Sequence, residues 1–200
     1  AYFEKKKKEL NENDFSDYQN VLNEKWKYFQ LIYEQESQSV FSSKEYKTFF
    51  KNNQEWLVPY AVFSYLRDKN GTPEFGKWTE YSVYNAKEIE QFADPNSAHY
   101  PEIALFYFLQ YHLHTQLIEV RDYAHSKGVA LKSDVPIGVS PRSVDAWVEP
   151  ELFNTNMQAG APPDDFSVTG QNWGFPTYNW EEMAKDGYQW WKKRFRKFVE

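Results

Sequence analysis

Apolar and aromatic positions recur at helical spacing through most of the first hundred residues. Tyr18, Leu22, Trp26, Phe29 and Tyr33 fall three or four apart, on one side of a helix. Ser42-x-x-Glu45 reads as a capping box, in which a hydroxyl and a carboxylate satisfy the free N–H groups of a helix start. A further helix is expected over Tyr60 to Leu66, with Pro59 in its first turn, where a missing N–H costs nothing. Asn70-Gly71-Thr72-Pro73 breaks the chain, and residues 73–96 carry no sustained period.

The next pattern is clearer. Pro101 suits a first helical turn, Glu102 its positive end and Gly128 its stop. Between them Phe106, Leu109, Leu113, Leu117, Val120 and Ala124 form an apolar stripe. Branched and polar side chains alternate from Val129 to Val135 directly after that helix. The alternation predicts a strand over 129–135 in an α/β unit. From 154 to 178 the chain holds three glycines and three prolines without a period, which predicts a long loop. Phe153, Phe166, Trp173, Phe175 and Tyr178, in or beside it, argue against disorder. Asn179-x-x-Glu182 opens a last helix over 180–199, through Trp190, Trp191, Phe195 and Phe198. No internal repeat is visible.

Composition narrows the function classes. Two hundred residues suffice for one domain with a buried core. Lys and Arg number 23 against 29 Asp and Glu, a net charge of −6, with no basic stripe, so nucleic acid is not an expected partner. The run Lys5 to Lys8 reads as a solvated helix face. No apolar run is long enough to span a membrane. Cysteine is absent, which excludes disulfides and thiolate metal sites and favours a reducing, cytoplasmic setting. The sequon Asn70-Gly71-Thr72 reads better as a turn. The chain begins with Ala1, so its native N-terminus is expected elsewhere and the lack of a signal peptide says little. Aromatic residues make up 20% of the chain, eight of them tryptophan. Their flat faces serve cores first, and also suit the C–H faces of sugars.

No metal, cofactor or nucleophile signature stands out. His112 and His114 lie two apart on a helix and diverge, so no metal is expected. Gly-x-x-x-x-Gly-Lys, Gly-x-Gly-x-x-Gly and Gly-x-Ser-x-Gly are all missing, so no phosphate-bearing cofactor or nucleophile elbow is signalled. Carboxylate pairs that cut a sugar bond stand roughly 5–9.5 Å apart. Glu181 and Glu182 diverge on a helix, and Asp164 and Asp165 are adjacent in a loop. Asp134, at the C-terminal end of the expected strand, has the address that barrel enzymes use for site residues. An N-cap or an ion-pair partner is the other reading of the same residue.

Several ordered strings carry a resemblance. They are Lys132-Ser133-Asp134-Val135-Pro136-Ile137-Gly138-Val139, Ser143-Val144-Asp145-Ala146-Trp147 and Pro150-Glu151-Leu152-Phe153. Gly160-Ala161-Pro162-Pro163-Asp164-Asp165-Phe166 and Gly170-Gln171-Asn172-Trp173-Gly174-Phe175-Pro176-Thr177-Tyr178-Asn179-Trp180 follow. Together they resemble the third-strand region and mobile active-site loop of glycoside hydrolase family 77, closest to its maltose-using, cytosolic disproportionating enzymes. The resemblance is strong over 98–198 and extends back through Trp56-Leu57-x-Pro59-Tyr60-Ala61 and Leu66-Arg67-Asp68.

That resemblance implies a (β/α)8 barrel and a retaining transfer between α-1,4-glucans, with maltose, malto-oligosaccharides or branched glucan as partners. It implies that Asp134 contacts the sugar at the cleavage subsite and that Asp164, Phe166, Gln171 and Trp173 line the acceptor side. The family's nucleophile lies in an Arg-x-Asp-His motif that this sequence lacks, as it lacks the acid/base, so the resemblance implies a piece of a longer enzyme without its own catalytic residues. Ser133 stands where the family has glycine, and Asp165 where it has tyrosine, which leaves acceptor preference open.

The expected fold is therefore mainly α with few strands. Residues 1–97 form a helical subdomain, and residues 98–200 a partial barrel segment of helix, strand 129–135, loop 154–178 and helix 180–199. Trp147 and Trp180 are expected to pack rather than bind. Barrel surface left uncovered, chiefly Val129, Leu131 and Val135, would favour self-association. The alternative function is a non-catalytic helical module that binds glucan or a partner. A hydrolase of the same clan is a weaker one.

Overall fold

The computed structural model describes residues 2–12, 14–132 and 134–196. Ser133 and Phe198, both singled out above, lie outside that range, as does the end of the helix expected to reach 199. The described chain is mainly helical with one two-stranded antiparallel sheet. No helix among the described residues is long and apolar enough to cross a membrane.

Helix α1 (Tyr2–Asn11) packs on α2 (Tyr18–Ser42). In α1 the lysine run faces solvent, and Lys5 and Lys6 pair with Glu9 at 3.8 and 2.7 Å. Helix α3 (Lys44–Asn70) lies against α5 (Tyr100–Ser126), and α2 touches both. Sandwiched this way, α5 buries every residue from Ile103 to Phe108. Rings meet across the layers: Trp26 on Phe106 at 5.9 Å, Tyr33 on Phe108 at 5.5 Å and Phe50 on Tyr107 at 5.2 Å.

The α2–α3 junction corrects the capping reading by one residue. Ser43, not Ser42, is the N-cap of α3, and its Oγ accepts from the Tyr46 N–H at 3.1 Å. Ser42 stays in the last turn of α2 and donates to the Ser39 carbonyl instead. Pro59 also departs from expectation, sitting inside α3 rather than at a helix start. A proline there forfeits a helical hydrogen bond at a cost of about 3 kcal/mol. The buried face from Leu57 to Leu66 outweighs that loss. Gly71 then ends α3 in the left-handed region (φ 65°), its N–H bonded to the Arg67 and Asp68 carbonyls.

Residues 73–96 hold a 3₁₀ turn at Phe75–Lys77 and helix α4 (Ala86–Phe92), capped by Asn85. The α5 stripe is real, but only its first half is covered; Leu113, Leu117 and Val120 are exposed, Leu117 at 66%. No strand forms over 129–132 and 134–135, where the backbone lacks ladder partners. A strand needs a neighbour to satisfy its N–H and C=O groups, and alternation alone supplies none.

The region read as a loop, 154–178, is instead a β-ribbon. Helix α6 (Val144–Val148) and a 3₁₀ turn at Pro150–Leu152 lead into β1 (Phe153–Ala161), which pairs with β2 (Gln171–Tyr178). The pairs are Phe153–Tyr178, Asn154–Thr177, Gln158–Pro176, Gly160–Asn172 and Ala161–Gln171, with irregularities on both sides of Gln158. These bulges break the two-residue alternation that would have marked the strands. The final helix is likewise two, α7 (Trp180–Lys185) and α8 (Gln189–Arg196). Gly187 and Tyr188, with φ of 72° and 63°, turn the chain between them, and the Asp186 carboxylate accepts from the Gln189 N–H.

Two apolar clusters result. The larger joins α3, α4, α5 and Trp147; the smaller gathers Val139, Ala146, Leu152, Phe153, Met183 and Trp190 beneath the ribbon. Trp147 is 1% exposed, with its Nε1–H bonded to the Tyr81 carbonyl at 2.9 Å, as a packing role requires. Trp180 is 53% exposed and stacks on Trp191 at 6.1 Å. Trp147→Ala should therefore cost about 3–5 kcal/mol, and Trp180→Ala much less. Urea unfolding of the two variants, followed by far-ultraviolet circular dichroism, measures the difference.

Candidate functional site

Four of the five residues singled out for substrate contact lie on the ribbon, and their order comes from local hydrogen bonds. At the tip, Asp164 Oδ1 accepts from the N–H groups of Phe166 and Ser167 at 2.9 and 2.7 Å, while its own N–H bonds the Ser167 carbonyl. This Asx turn commits one carboxylate oxygen to the backbone and leaves the other facing outward. It also presents Phe166, which is 96% exposed.

Gln171 and Trp173 form the second pair. Gln171 Oε1 accepts from the Trp173 indole N–H at 2.9 Å, which leaves the amide NH2 to donate elsewhere. Trp173 follows Asn172 in the irregular stretch of β2 between the Gly160–Asn172 and Gln158–Pro176 pairs. The ring lies on Phe175 at 5.8 Å and stays 44% exposed. Gly174, at φ 73°, turns the backbone there, and its N–H bonds Asn172 Oδ1. Asn172 Nδ2 donates across the ribbon to Gln158 Oε1 at 2.6 Å. Neither Asn172 nor Gln158 stood out in the sequence, and only the register brings them together.

Asp134 is exposed on the extended segment that follows α5. That segment meets the ribbon at its base: Tyr178 donates its hydroxyl to the Ile137 carbonyl at 3.1 Å, and the Phe175 ring lies against Gly138. The structure thus sets Asp164 beside Phe166 and Gln171 beside Trp173, with Asp134 on the adjoining strand-like segment.

A separate open cleft of about 580 Å³ lies between α3, α6 and α8. Trp56 and Tyr84 supply ring faces, and Glu55, Asp145 and Glu149 carboxylates. Lys193 pairs with Glu55 at its edge. Burial pushes the Glu149 carboxyl above its ordinary range, and the Lys193 charge only partly opposes this. Sequence gave no sign of Glu149, because its surroundings come from three distant elements.

Against this geometry, comparison with known proteins is decisive. A family model described as 4-alpha-glucanotransferase, glycoside hydrolase family 77, matches residues 1–200. The chain belongs to this family. It is 45% identical over 188 residues to 4-alpha-glucanotransferase DPE2 of Oryza sativa subsp. japonica, covering 94% of this chain and 20% of that protein. It is 32% identical over 180 residues to the 4-alpha-glucanotransferase of Chlamydia pneumoniae, covering 90% and 34%. In three dimensions it resembles an amylomaltase from Streptococcus agalactiae in complex with acarbose, with TM-score 0.74 and 25% identity, over 91% of this chain and 38% of that one. The family 77 chain thus spans between about a fifth and two-fifths of these relatives.

For this family 77 chain the raised Glu149 carboxyl makes a prediction of sign. A folded-state acid above its unfolded value binds a proton more tightly when folded, so stability declines as pH rises from the unfolded value through the folded one. Glu149→Gln should raise the thermal midpoint at pH 7 and leave it nearly unchanged near pH 4. Melting curves of both proteins at the two pH values check it.

Proposed function

We propose that this chain is the substrate-holding part of a retaining 4-alpha-glucanotransferase that moves α-1,4-glucan segments or glucosyl units from maltose or malto-oligosaccharides to an acceptor glucan. The observation that carries the reading is the family match along all 200 residues. The Gln171–Trp173 pair on the ribbon supports it, since a ring face beside an outward amide suits a sugar. In this reading residues 1–97 are a helical subdomain, and residues 98–200 belong to a (β/α)8 barrel completed by chain not present here. The absence of cysteine fits a cytoplasmic setting. A match over the whole chain to enzymes of one reaction favours the transferase over a helical glucan-binding module.

Each residue then has a task. Trp173 and Phe166 offer apolar faces to glucose rings, while Gln171 and Asp164 hold hydroxyls on the acceptor side. Asp134 holds hydroxyls of the sugar at the cleavage subsite. Retaining transfer also needs a carboxylate nucleophile and a separate acid/base. Neither role is assigned to a residue of this chain. Substrate grip alone lowers no chemical barrier, because only interactions stronger in the transition state do so.

Two outcomes follow. The isolated 200-residue chain should show no disproportionation of maltotriose and no transfer from maltose to glycogen. The full-length enzyme containing it should do at least one, and Asp134→Ala or Trp173→Ala there should depress turnover by about a hundredfold. Product chromatography at matched protein concentrations reads both; turnover by the isolated chain that survives the substitutions would refute the assignment. Val129 and Leu131 are exposed and Val135 is half-buried; the first two, together with the uncovered Leu113, Leu117 and Val120 of α5, should also drive self-association of the isolated chain. Sedimentation velocity over a concentration series should show the mass rising.

A further inference from the structure

The segment from Asp134 to Val139 has no ladder partner, yet two of its carbonyls are held by side chains from elsewhere. Arg194, on α8, donates from Nη2 to the Pro136 carbonyl at 2.8 Å, two residues beyond Asp134. Tyr178, the last residue of β2, donates to the next carbonyl, that of Ile137, at 3.1 Å. The two holders are themselves joined. The Arg194 guanidinium lies 4.3 Å from the Trp190 ring centre and 5.2 Å from that of Trp191. The Tyr178 ring meets the same two tryptophans at 5.7 and 5.0 Å. Burial raises the Tyr178 phenol, and the charge and hydrogen bond of Arg194 offset part of that shift.

Below the clamp, Val139 is buried with Phe153 and Trp190, and a Cβ on Gly138 would come within 2.7 Å of the Phe175 ring. The place of the segment is therefore inherited from α8 and the ribbon base. An arginine suits this junction because its planar fork can stack on a ring and donate in its own plane at once, which an ammonium cannot.

We propose that Arg194 is a positioning residue for glucan transfer, clamping the Asp134 segment to the base of the ribbon so that Asp134 keeps a fixed place relative to Gln171 and Trp173. The inference rests on the reading of Asp134 as a sugar contact and adds the group that holds it there. Arg194 touches no substrate in this scheme; it acts through the Pro136 carbonyl and through Tyr178.

The test uses the full-length enzyme with maltotriose, comparing wild type, Arg194→Ala, Arg194→Lys, Tyr178→Phe, Asp134→Asn and the combinations with Asp134→Asn. Misplacement of a contact group by about 1 Å can cost on the order of a hundredfold in rate. Arg194→Ala should lose kcat on that scale while KM moves little, because the sugar stays bound but out of its reacting geometry. Lysine should recover only a minor share, since it cannot stack and donate together. In the Asp134→Asn background the further loss from Arg194→Ala should shrink to about twofold, the mark of two residues acting through one another. Tyr178→Phe removes a single hydroxyl from an otherwise intact ring, and it decides the matter by the same non-additivity if Arg194→Ala fails to fold. Full additivity, or a lowered thermal midpoint with unchanged kcat, would overturn the clamp. If Asp134→Asn alone leaves turnover intact, the reading of Asp134 falls, and the clamp's proposed purpose falls with it.

Discussion

The fold depends on how one indole is enclosed. Trp147 sits among Phe63 of α3 at 5.6 Å, Trp78 at 6.0 Å and Tyr84 at 5.0 Å, and its N–H is taken by Tyr81. Those contacts tie the helical layer to α6, and α6 leads within a few residues to the first strand of the ribbon. A buried indole N–H left without a partner would cost about 1–3 kcal/mol, so the ring and the Tyr81 carbonyl fix each other. The high aromatic content of the chain is thus largely structural, since ring-on-ring contacts do the joining that longer sheets do elsewhere.

Beyond that joint the ribbon is graded along its length. Its root, Phe153 and Tyr178, is packed against Trp190 in the smaller cluster. Its far end has almost no apolar support, and is ordered by side-chain hydrogen bonds to backbone at Asp164, Ser167 and Asn172. Such bonds set a shape without burying the groups that carry it.

How much of this could be read from residues alone differs by element. Helices α2 and α5 were legible because their apolar spacing and stops, such as the positive φ at Gly128 just after α5, are local properties. Ser43 taking the capping role from Ser42 shows the limit of that reading, since the exact start depends on where the preceding helix lets go. The stretch at 129–135 looked like a strand because alternation describes side chains, whereas a strand exists only when another backbone completes it. The ribbon was invisible for the opposite reason: bulges beside Gln158 scramble alternation while the pairing survives. The candidate residues themselves were legible as types in order, through resemblance. What joins them, namely Gln171 to Trp173 and the Arg194 hold on Pro136, is a matter of register and of separations as long as 58 positions.

Gly160 and Gly170 bear on what this ribbon can become. A side chain at Gly160 would collide with the Gln171 carbonyl, and one at Gly170 would lie 2.7 Å from that of Ala161. The strands therefore approach so closely that the turn tolerates no Cβ at either place, while Phe166 and Trp173 project from it with room around them. Steric constraint acts unevenly along such a device. The two positions that meet nothing but backbone fix its curvature, whereas the exposed side chains could be exchanged without disturbing it, so the ribbon can alter what it carries while its shape is kept.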